Sequence, residues 1–307
     1  MGNENLPKSL IEALLDQFAE KDLSLYLIGS KNVFQTFKAP TNIHFICSEE
    51  VIEMDDDPLV SIRRKKDSSM HKALELLKEK KVDAIISLGN TGALVSLSVI
   101  ELSTFEKISR PALLALLPTR KNPLALLDVG AHVDCKTETF LEFALLASAF
   151  QKVMGIDNPR VGLLNIGKEK VKGTSQIKKV YAFLEENRET FNFVGNIEPT
   201  DVFKGEVDAI LTDGFTGNIL LKATEGIASL FLDELEKNQK VFQQDFFQDI
   251  KQRLDYGKYP GAVILLGLSS LVVKCHSYST PTALLNAVTR VEEMITNKFI
   301  DNLKNHL

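Results

Sequence analysis

One pattern of eleven residues occurs twice in the chain. Val82-Asp83-Ala84-Ile85-Ile86-Ser87-Leu88-Gly89-Asn90-Thr91-Gly92 returns as Val207-Asp208-Ala209-Ile210-Leu211-Thr212-Asp213-Gly214-Phe215-Thr216-Gly217. Each copy is a short apolar run, then a threonine flanked by glycines, then a helix-compatible stretch. A buried strand that turns into a helix through Gly-x-Thr-Gly leaves backbone N–H groups without partners at the helix start. Those donors and the positive end of the helix dipole favour an anion. A tight turn needs glycine for conformational reasons alone, so it is the repetition, with the same threonine, that points to phosphate.

A second basic cue lies upstream. Arg63-Arg64-Lys65-Lys66 runs into Asp67-Ser68-Ser69-Met70, where helix-capping residues precede a helical pattern. Cations beside a helix start can hold phosphate by charge and by backbone donors together, or they can form an ordinary solvated run. Two further strand ends carry polar groups beside glycine. They are Asp128-Val129-Gly130-Ala131-His132, and Asn165-Ile166-Gly167 followed by Lys168, Lys170 and Lys172. Strand ends of this kind would gather polar groups around one cleft. The histidines are scattered and show no metal-ligand spacing. A Gly-x-Ser-x-Gly elbow, a Gly-x-Gly-x-x-Gly fingerprint and a Walker pattern are all absent, and Cys47, Cys135 and Cys275 have no evident base. This inventory favours a site that binds phosphate and polarises an electrophile, with no covalent enzyme intermediate, no metal and no cofactor.

The elements that must position these residues follow from periodicity. A first helix is expected over Pro7 to Glu20, then strands at Ser24 to Ile28 and Ile43 to Ile46, and a helix over Ser69 to Lys80 leading into the first repeat. Apolar runs at Ala112 to Leu117, Leu124 to Val129, Arg160 to Ile166, Phe191 to Val194 and Val207 to Thr212 alternate with helices at Glu138 to Met154 and Ser175 to Asn187. The alternation predicts an α/β fold with a mostly parallel sheet covered on both faces, whose ligands sit at the carboxyl ends of the strands. From Gly217 to Asp255 the pattern is helical, with Phe231, Phe242, Phe246 and Phe247 among polar residues. A helical extension over residues 219–256 is therefore expected, serving core packing, dimerisation, or contact with a partner or membrane interface. A last apolar run around Ala262 to Val273 and a helix from Thr280 to about Lys304 close the chain. The opening Met1-Gly2-Asn3-Glu4-Asn5 feeds the first helix without a strand in front, where an alternating chain should have one. The 307 residues can bury a large core as one domain, and 44% hydrophobic with 25% charged residues is a globular composition. A net charge of −5 argues against general nucleic-acid binding. No apolar run is long enough to span a bilayer, and the odd, widely spaced cysteines read as reduced thiols of a cytoplasmic protein.

The chain resembles the bacterial phosphate acyltransferases of phospholipid synthesis. The motifs that carry the resemblance are Arg63-Arg64-Lys65-Lys66 with Ser68-Ser69-Met70, Gly89-Asn90-Thr91-Gly92-Ala93, Leu127-Asp128-Val129-Gly130-Ala131, Gly162-Leu163-Leu164-Asn165-Ile166-Gly167, Phe193-Val194-Gly195-Asn196 and Thr212-Asp213-Gly214-Phe215-Thr216-Gly217-Asn218. The resemblance implies a three-layer α/β/α sandwich like that of isocitrate and isopropylmalate dehydrogenases. It implies a homodimer that moves a fatty acyl group from acyl carrier protein to inorganic phosphate, with peripheral contact at the inner face of the membrane. It also implies a site. Phosphate and substrate would be met by Arg63, Lys66, Ser69, Gly89, Thr91, Gly92, Asp128, His132, Asn165, Gly214, Phe215, Thr216 and Gly217. Asn90, Asn218 or Lys222 would donate to the oxyanion, while Asp213 would accept a proton or only cap its turn. A coenzyme A thioester as donor and a catalytically weakened regulatory homologue are the alternatives. Departures from the family pattern are local. Family members open with a strand and Asp-Ala-Met-Gly-Gly-Asp-His, so that strand is expected to be missing, and Glu4 and Asn5 stand at the acid and histidine positions. His132 stands where the family has asparagine, Tyr259-Pro260-Gly261 where it has Tyr-Gly-Gly, and Ser277 where it has glycine. The segment near residues 236–250 is also shorter than usual.

Overall fold

The computed structural model describes residues 7–237 and 262–307. Glu4, Asn5, Phe242, Phe246, Phe247 and Tyr259-Pro260-Gly261 lie outside the described residues. The chain divides into two compact units, one of residues 1–104 with 260–298, the other of residues 105–259 with 299–307. Each unit holds one copy of the repeated pattern.

The first unit begins with helix α1 (Pro7–Phe18), followed by strand β1 (Leu25–Gly29), the short α2 (Lys31–Phe34) and β2 (Ile43–Cys47). β1 and β2 form a parallel pair in register from Leu25 with Ile43 to Gly29 with Cys47. Helices α3 (Pro58–Arg64) and α4 (Ser69–Lys78) lead to β3 (Ala84–Ser87) and α5 (Thr91–Glu101). Side-chain caps set three of these helix starts: Asp57 accepts from Val60 N, Ser68 from His71 N, and Asn90 from Ala93 N. Leu10, Leu14 and Phe18 recur at helical spacing on α1 and pack with Leu284 and Val288 of the late helix in this unit (Pro281–Thr296).

The second unit is built on five strands in the order β4 (Ala112–Leu117), β5 (Leu124–Leu127), β8 (Ala209–Leu211), β6 (Arg160–Leu164), β7 (Asn192–Ile197). The neighbours β5–β8, β8–β6 and β6–β7 are parallel, while β4–β5 is antiparallel. All residues of β5 and β8 are buried, as expected of strands covered on both faces. Helix α6 (Thr137–Val153) lays Phe140, Phe143, Ala144, Ala147 and Phe150 into this core. α7 (Ser175–Glu186) packs on β7, and α8 (Gly214–Lys237) on β4 and β5. Back in the first unit, β9 (Ala262–Leu266) and β10 (Leu271–Cys275) form an antiparallel pair, with β3 parallel to β10 on its other side. α9 (Pro281–Thr296) completes that unit, and α10 (Phe299–Asn305) belongs to the second. No helix among the described residues is long and apolar enough to cross a membrane.

The expected alternation matches these elements, with three differences. The apolar run around Ala262 to Val273 is two strands, because Gly267 sits at φ +104° and turns the chain between them. The closing helix is two helices, broken at Lys298, which takes φ +51°. The expected extension is not a separate element up to Lys237, since residues 219–237 continue α8 without a break.

Asp208, the acidic residue of the second copy, ties β8 to β6. Its Oδ2 accepts from Arg160 N at 2.8 Å and Nε at 2.9 Å, and its Oδ1 accepts from Nη2 at 2.9 Å. Burial pushes the Asp208 carboxyl up, but the guanidinium and amide of Arg160 outweigh it and hold the group below its ordinary value. Stabilisation from such a group is complete above the unfolded carboxylate pKa near 4 and is lost as pH falls through the lower folded value. Asp208→Asn should therefore cost about 1–2 kcal/mol at pH 7, the low end for charge-assisted bonds because Arg160 is partly solvated. Urea unfolding of both proteins across pH should show that difference shrink below about pH 4.

Candidate functional site

In the second unit the polar groups at the strand ends are organised by Asp128, whose side chain is fully buried after β5. Its Oδ1 accepts from Leu113 N at 3.0 Å, Gly130 N at 3.2 Å and Ala131 N at 3.1 Å, and its Oδ2 from His132 N at 2.7 Å. Three successive amides converging on one point make an anion-binding nest. Here the protein's own carboxylate fills it. Asp128 was expected to touch phosphate; here both of its oxygens are taken by backbone amides in a fully buried position, where it shapes the loop. His132 lies against this carboxylate, with Nδ1 at 3.5 Å from Oδ2. That nitrogen is buried and has no hydrogen-bond partner among the described residues.

The start of α8 packs onto this loop with no space to spare. Gly214 N donates to His132 O at 2.8 Å. A Cβ on Gly214 would lie 2.6 Å from that same oxygen, and one on Gly217 only 1.9 Å from Asp128 O. Gly130 takes φ +135°, and a Cβ there would come within 3.0 Å of Asn218 Nδ2. These glycines let two backbones meet where any side chain would force them apart.

Asp213 caps the helix. Its Oδ1 accepts from Thr216 N at 2.7 Å and its Oδ2 from Thr216 Oγ1 at 3.0 Å. Of the two tasks open to Asp213, capping is the one its geometry performs. Gly217 N donates to Asp213 O at 2.9 Å. With Gly214, Thr216 and Gly217 engaged, Phe215 has the remaining first-turn amide without a partner among the described residues. The Phe215 ring is 60% exposed. Asn218, half-buried beside Gly130, and Lys222, one turn further on and exposed, keep their side-chain donors uncommitted among the described residues.

Asn165 has a structural place. Its Oδ1 accepts from Ile166 N at 2.8 Å and its Nδ2 donates to Lys172 O at 3.3 Å, which folds the loop that ends at Gly173. Lys168 pairs with Asp201 at 2.5 Å, and Lys170 lies 3.8 Å from Glu185. Burial and the nearby carboxylates of Asp128 and Asp213 push the Cys135 thiol up to about 12, and burial does the same for Cys275. Both thiols are therefore protonated at neutral pH and poor nucleophiles.

The first unit carries the other copy with different wiring. Asn90 caps α5 through Oδ1 to Ala93 N at 3.0 Å, while its Nδ2 donates to the carbonyls of Glu53, Met54 and Asp56. Both ends of this carboxamide are spent on the fold, so it joins the segment before α3 to the start of α5. The amides of Thr91 and Gly92 have no partner among the described residues. A Cβ on Gly92 would lie 2.8 Å from Pro58 Cγ, so this glycine admits α3. Gly89 N donates to Ser87 Oγ at 3.3 Å, and Ser69 opens α4. Of the four cations, Lys65 is spent on Asp56 and on Val51 O. Arg63, Arg64 and Lys66 are exposed, with no ion pair among the described residues.

Sequence reasoning missed the roles of Leu113 N and Gly130. The first is a backbone group brought to Asp128 by pairing between strands, which no local pattern announces. The second was visible as a strand-end glycine, though not as the surface against which Asn218 rests.

Buried parallel strands that hand over to glycine-tight helix starts define an α/β protein whose strand ends suit an anionic ligand. The family model described as "Fatty acid synthesis protein" matches residues 1–302. A relative from Dictyoglomus turgidum (strain DSM 6724 / Z-1310), named phosphate acyltransferase, is 37% identical over 311 residues, covering 96% of this chain and 92% of its own length. One of the same name from Alkaliphilus oremlandii (strain OhILAs) is 38% identical over 318 residues, covering 99% and 94%. The chain belongs to this phosphate acyltransferase family and is an acyltransferase of the fatty-acid and phospholipid synthesis group. Among solved structures, a phosphotransacetylase from Streptococcus pyogenes superposes with a TM-score of 0.57 at 16% identity, covering 97% of this chain and 91% of its own. A branched-chain phosphotransacylase from Enterococcus faecalis V583 gives 0.54 at 12% identity, covering 98% and 97%. At such identities the likeness speaks for the fold, a mixed α/β architecture with mostly parallel strands.

The glycine contacts make a paired prediction. Gly217→Ala should lower acyl transfer at least tenfold, because its Cβ drives the α8 start off the Asp128 loop. Gly226→Ala, where a Cβ meets nothing within 4 Å, should leave activity unchanged and stabilise the helix by about 0.5–1 kcal/mol. Initial rates and thermal melts of the two variants check both halves.

Proposed function

We propose that this chain transfers a fatty acyl group from acyl carrier protein to inorganic phosphate. A phosphate oxygen attacks the thioester carbonyl, the tetrahedral oxyanion collapses, the C–S bond breaks, and the carrier thiolate leaves and takes up a proton. The products are acyl phosphate and free carrier protein. Phosphate is a modest nucleophile and a thiol a good leaving group, so placement and charge stabilisation are what the protein must supply. The observation that carries this reading is the start of α8. There the Phe215 amide, the Asn218 carboxamide and the Lys222 ammonium remain uncommitted on a helix of 24 residues, whose dipole favours an anion. Protonated Cys135 and Cys275 fit direct displacement better than an acyl-enzyme. In the first unit, Thr91 and Gly92 offer amides to the same class of ligand.

Exposed Arg63, Arg64 and Lys66 are the docking surface we assign to the acidic carrier protein. The resemblance also underlies the rest of the proposal: a three-layer fold related to isocitrate and isopropylmalate dehydrogenases, and a cytoplasmic homodimer with peripheral membrane contact. The exposed Ile219, Ile227, Leu230 and Phe231 on α8 would supply the apolar surface for the second copy.

Asn218→Ala should reduce acyl-phosphate formation about tenfold or more, since a lost hydrogen bond to a charged group is worth about 1.5–3 kcal/mol. Alanine at both Thr216 and Asn218 should cost at least as much, and an unchanged rate in that double variant removes the α8 start as the phosphate site. With both thioesters assayed, KM for the carrier-protein donor should rise with salt more steeply than KM for a coenzyme A donor. Arg63→Ala should flatten that dependence; a KM for carrier protein that ignores salt would exclude docking through these cations.

A further inference from the structure

Transfer of an acyl group to phosphate leaves one proton to be moved. Hydrogen phosphate brings it on a P–O–H group, a phosphate ester is largely doubly ionised at neutral pH, and the departing thiolate takes a proton up. A group beside the α8 start that can both accept and return it would serve both ends. The uncommitted groups there do not qualify: the Phe215 amide and the Asn218 carboxamide take up no proton, and the Lys222 ammonium only donates. Both oxygens of Asp213 are spent on Thr216. The Cys135 thiol, pushed up to about 12 first by burial, stays protonated.

His132 has the required make-up. Its carbonyl oxygen accepts from Gly214 N at 2.8 Å, which seats the residue against the first turn of α8. Its ring stands beside Asp128, with Nδ1 at 3.5 Å from Oδ2. A bare Nδ1 lone pair turned to a buried carboxylate would be repelled, whereas an Nδ1–H is attracted. Asp128 thus selects the tautomer with its proton on Nδ1 and the lone pair on Nε2. Of the two ring nitrogens, Nδ1 alone is a buried atom without a partner. Nε2 has no hydrogen-bond partner among the described residues and belongs to the 11% of the side chain that meets solvent. A donor held by a carboxylate and an open acceptor on the far side of the ring are the two halves of a histidine base.

We propose that His132 is a catalytic residue that carries this proton from phosphate to the leaving thiolate, a role that rests on phosphate being the acyl acceptor. Nε2 accepts a hydrogen bond from the P–O–H group. As a phosphate oxygen forms its bond to the thioester carbon, the proton passes to Nε2, and Asp128 steadies the imidazolium through Nδ1–H. When the C–S bond breaks, Nε2–H returns the proton to sulfur and the neutral ring is restored. One C–O bond forms, one C–S bond breaks, and nothing is oxidised or reduced. The titratable and charged groups around the ring are Asp128 and Cys135 on its own loop, Asp213 at the α8 cap, and Arg110 ahead of β4. α6 meets it with uncharged Phe143, ring centroids 6.1 Å apart.

Two variants and one spectrum test this. His132→Asn keeps an N–H near the Nδ1 position and removes Nε2, while His132→Gln puts an amide near Nε2 that cannot take a proton. With acyl carrier protein and inorganic phosphate, kcat should fall about a hundredfold in both, and KM for phosphate should change far less. The ratio of parent kcat to His132→Asn kcat should decline as pH drops from about 8 to 5, where an imidazole gains its proton. The titrations of phosphate and of the neighbouring groups are common to both proteins and cancel in that ratio. In the parent chain, long-range ¹H–¹⁵N spectra of the neutral ring should show the proton on Nδ1, and inorganic phosphate should shift the Nε2 resonance. A ratio that ignores pH, or a neutral ring protonated on Nε2, overturns the relay, and the spectrum decides it should both variants fail to fold. Acyl phosphate formed by His132→Asn at the parent rate would sink the relay and leave phosphate as acceptor, whereas none from the parent chain removes both.

Discussion

A carboxylate with no access to water is tolerated only if donors replace its hydration. Asp128 meets this condition with backbone amides from β4 and from its own following loop. That requirement propagates outward. To bring the amides of residues 130–132 onto one carboxylate the chain must turn sharply, and Gly130 takes φ +135° to allow it. The turn presents His132 O to Gly214 N and places Asp128 O where Gly217 must be free of a side chain. The start of α8 is therefore seated by a buried charge two elements away. Replacing Asp128 would leave a cluster of buried donors without an acceptor, a cost of the full desolvation kind rather than that of one hydrogen bond.

The two copies of the repeated pattern solve the same local problem differently. In the first, Asn90 caps and the helix begins at Thr91; in the second, Asp213 caps and the helix begins at Gly214. The cap lies two positions earlier in the second copy, so the equivalent threonines are the first helical residue in one and the third in the other. The Thr91 amide has no partner among the described residues, whereas the amide and hydroxyl of Thr216 are both committed to Asp213. The acidic residue of the pattern diverges as well. Asp208 holds Arg160 across two strands, while Asp83 stands exposed. Shared sequence at a strand end sets where a helix can start, and the capping side chain decides which donors stay open.

Much of the fold was legible because the elements bury their signal locally. The apolar runs at Ala112–Leu117 and Leu124–Leu127 are strands where periodicity put them, and the cap before α4 is one of the residues expected to cap there, whereas Asn90, read as an oxyanion donor, is the cap of α5. Direction was not legible: β4 and β5 are antiparallel, and nothing in an apolar run says which way its neighbour points. The candidate site was legible by position and much less so by role. Asn90, Asp128 and Asn165 were visible as polar residues at strand ends, yet each one's partners are carbonyls or amides brought in by the fold. A polar residue beside glycine advertises a turn equally well whether it serves the turn or a ligand. Only the count of its spent donors separates the two, and that count depends on tertiary contacts. Asn218 emerged from the same group because its carboxamide lies where a Gly130 side chain would be and meets no competing acceptor among the described residues.

The electrostatics of the α8 start bear on how such a site could turn over. An uncapped helix terminus carries roughly half a positive charge, but Asp213 at the cap takes part of that field for itself. Asp128 adds a second carboxylate within the same unit, met by backbone amides and paired with no Lys or Arg among the described residues. A phosphate drawn to the Phe215 amide and Asn218 would therefore feel attraction from Lys222 and the dipole against repulsion from two carboxylates. In the reaction we propose, this balance would leave phosphate weakly held and nucleophilic, and would reserve the uncommitted donors for the charge that grows on the carbonyl oxygen as the C–O bond forms. Interactions that strengthen only in that transition state raise the rate without deepening the ground state. Burial first, and the same two carboxylates after it, keep Cys135 protonated, so the surroundings of the α8 start also withhold a competing thiolate.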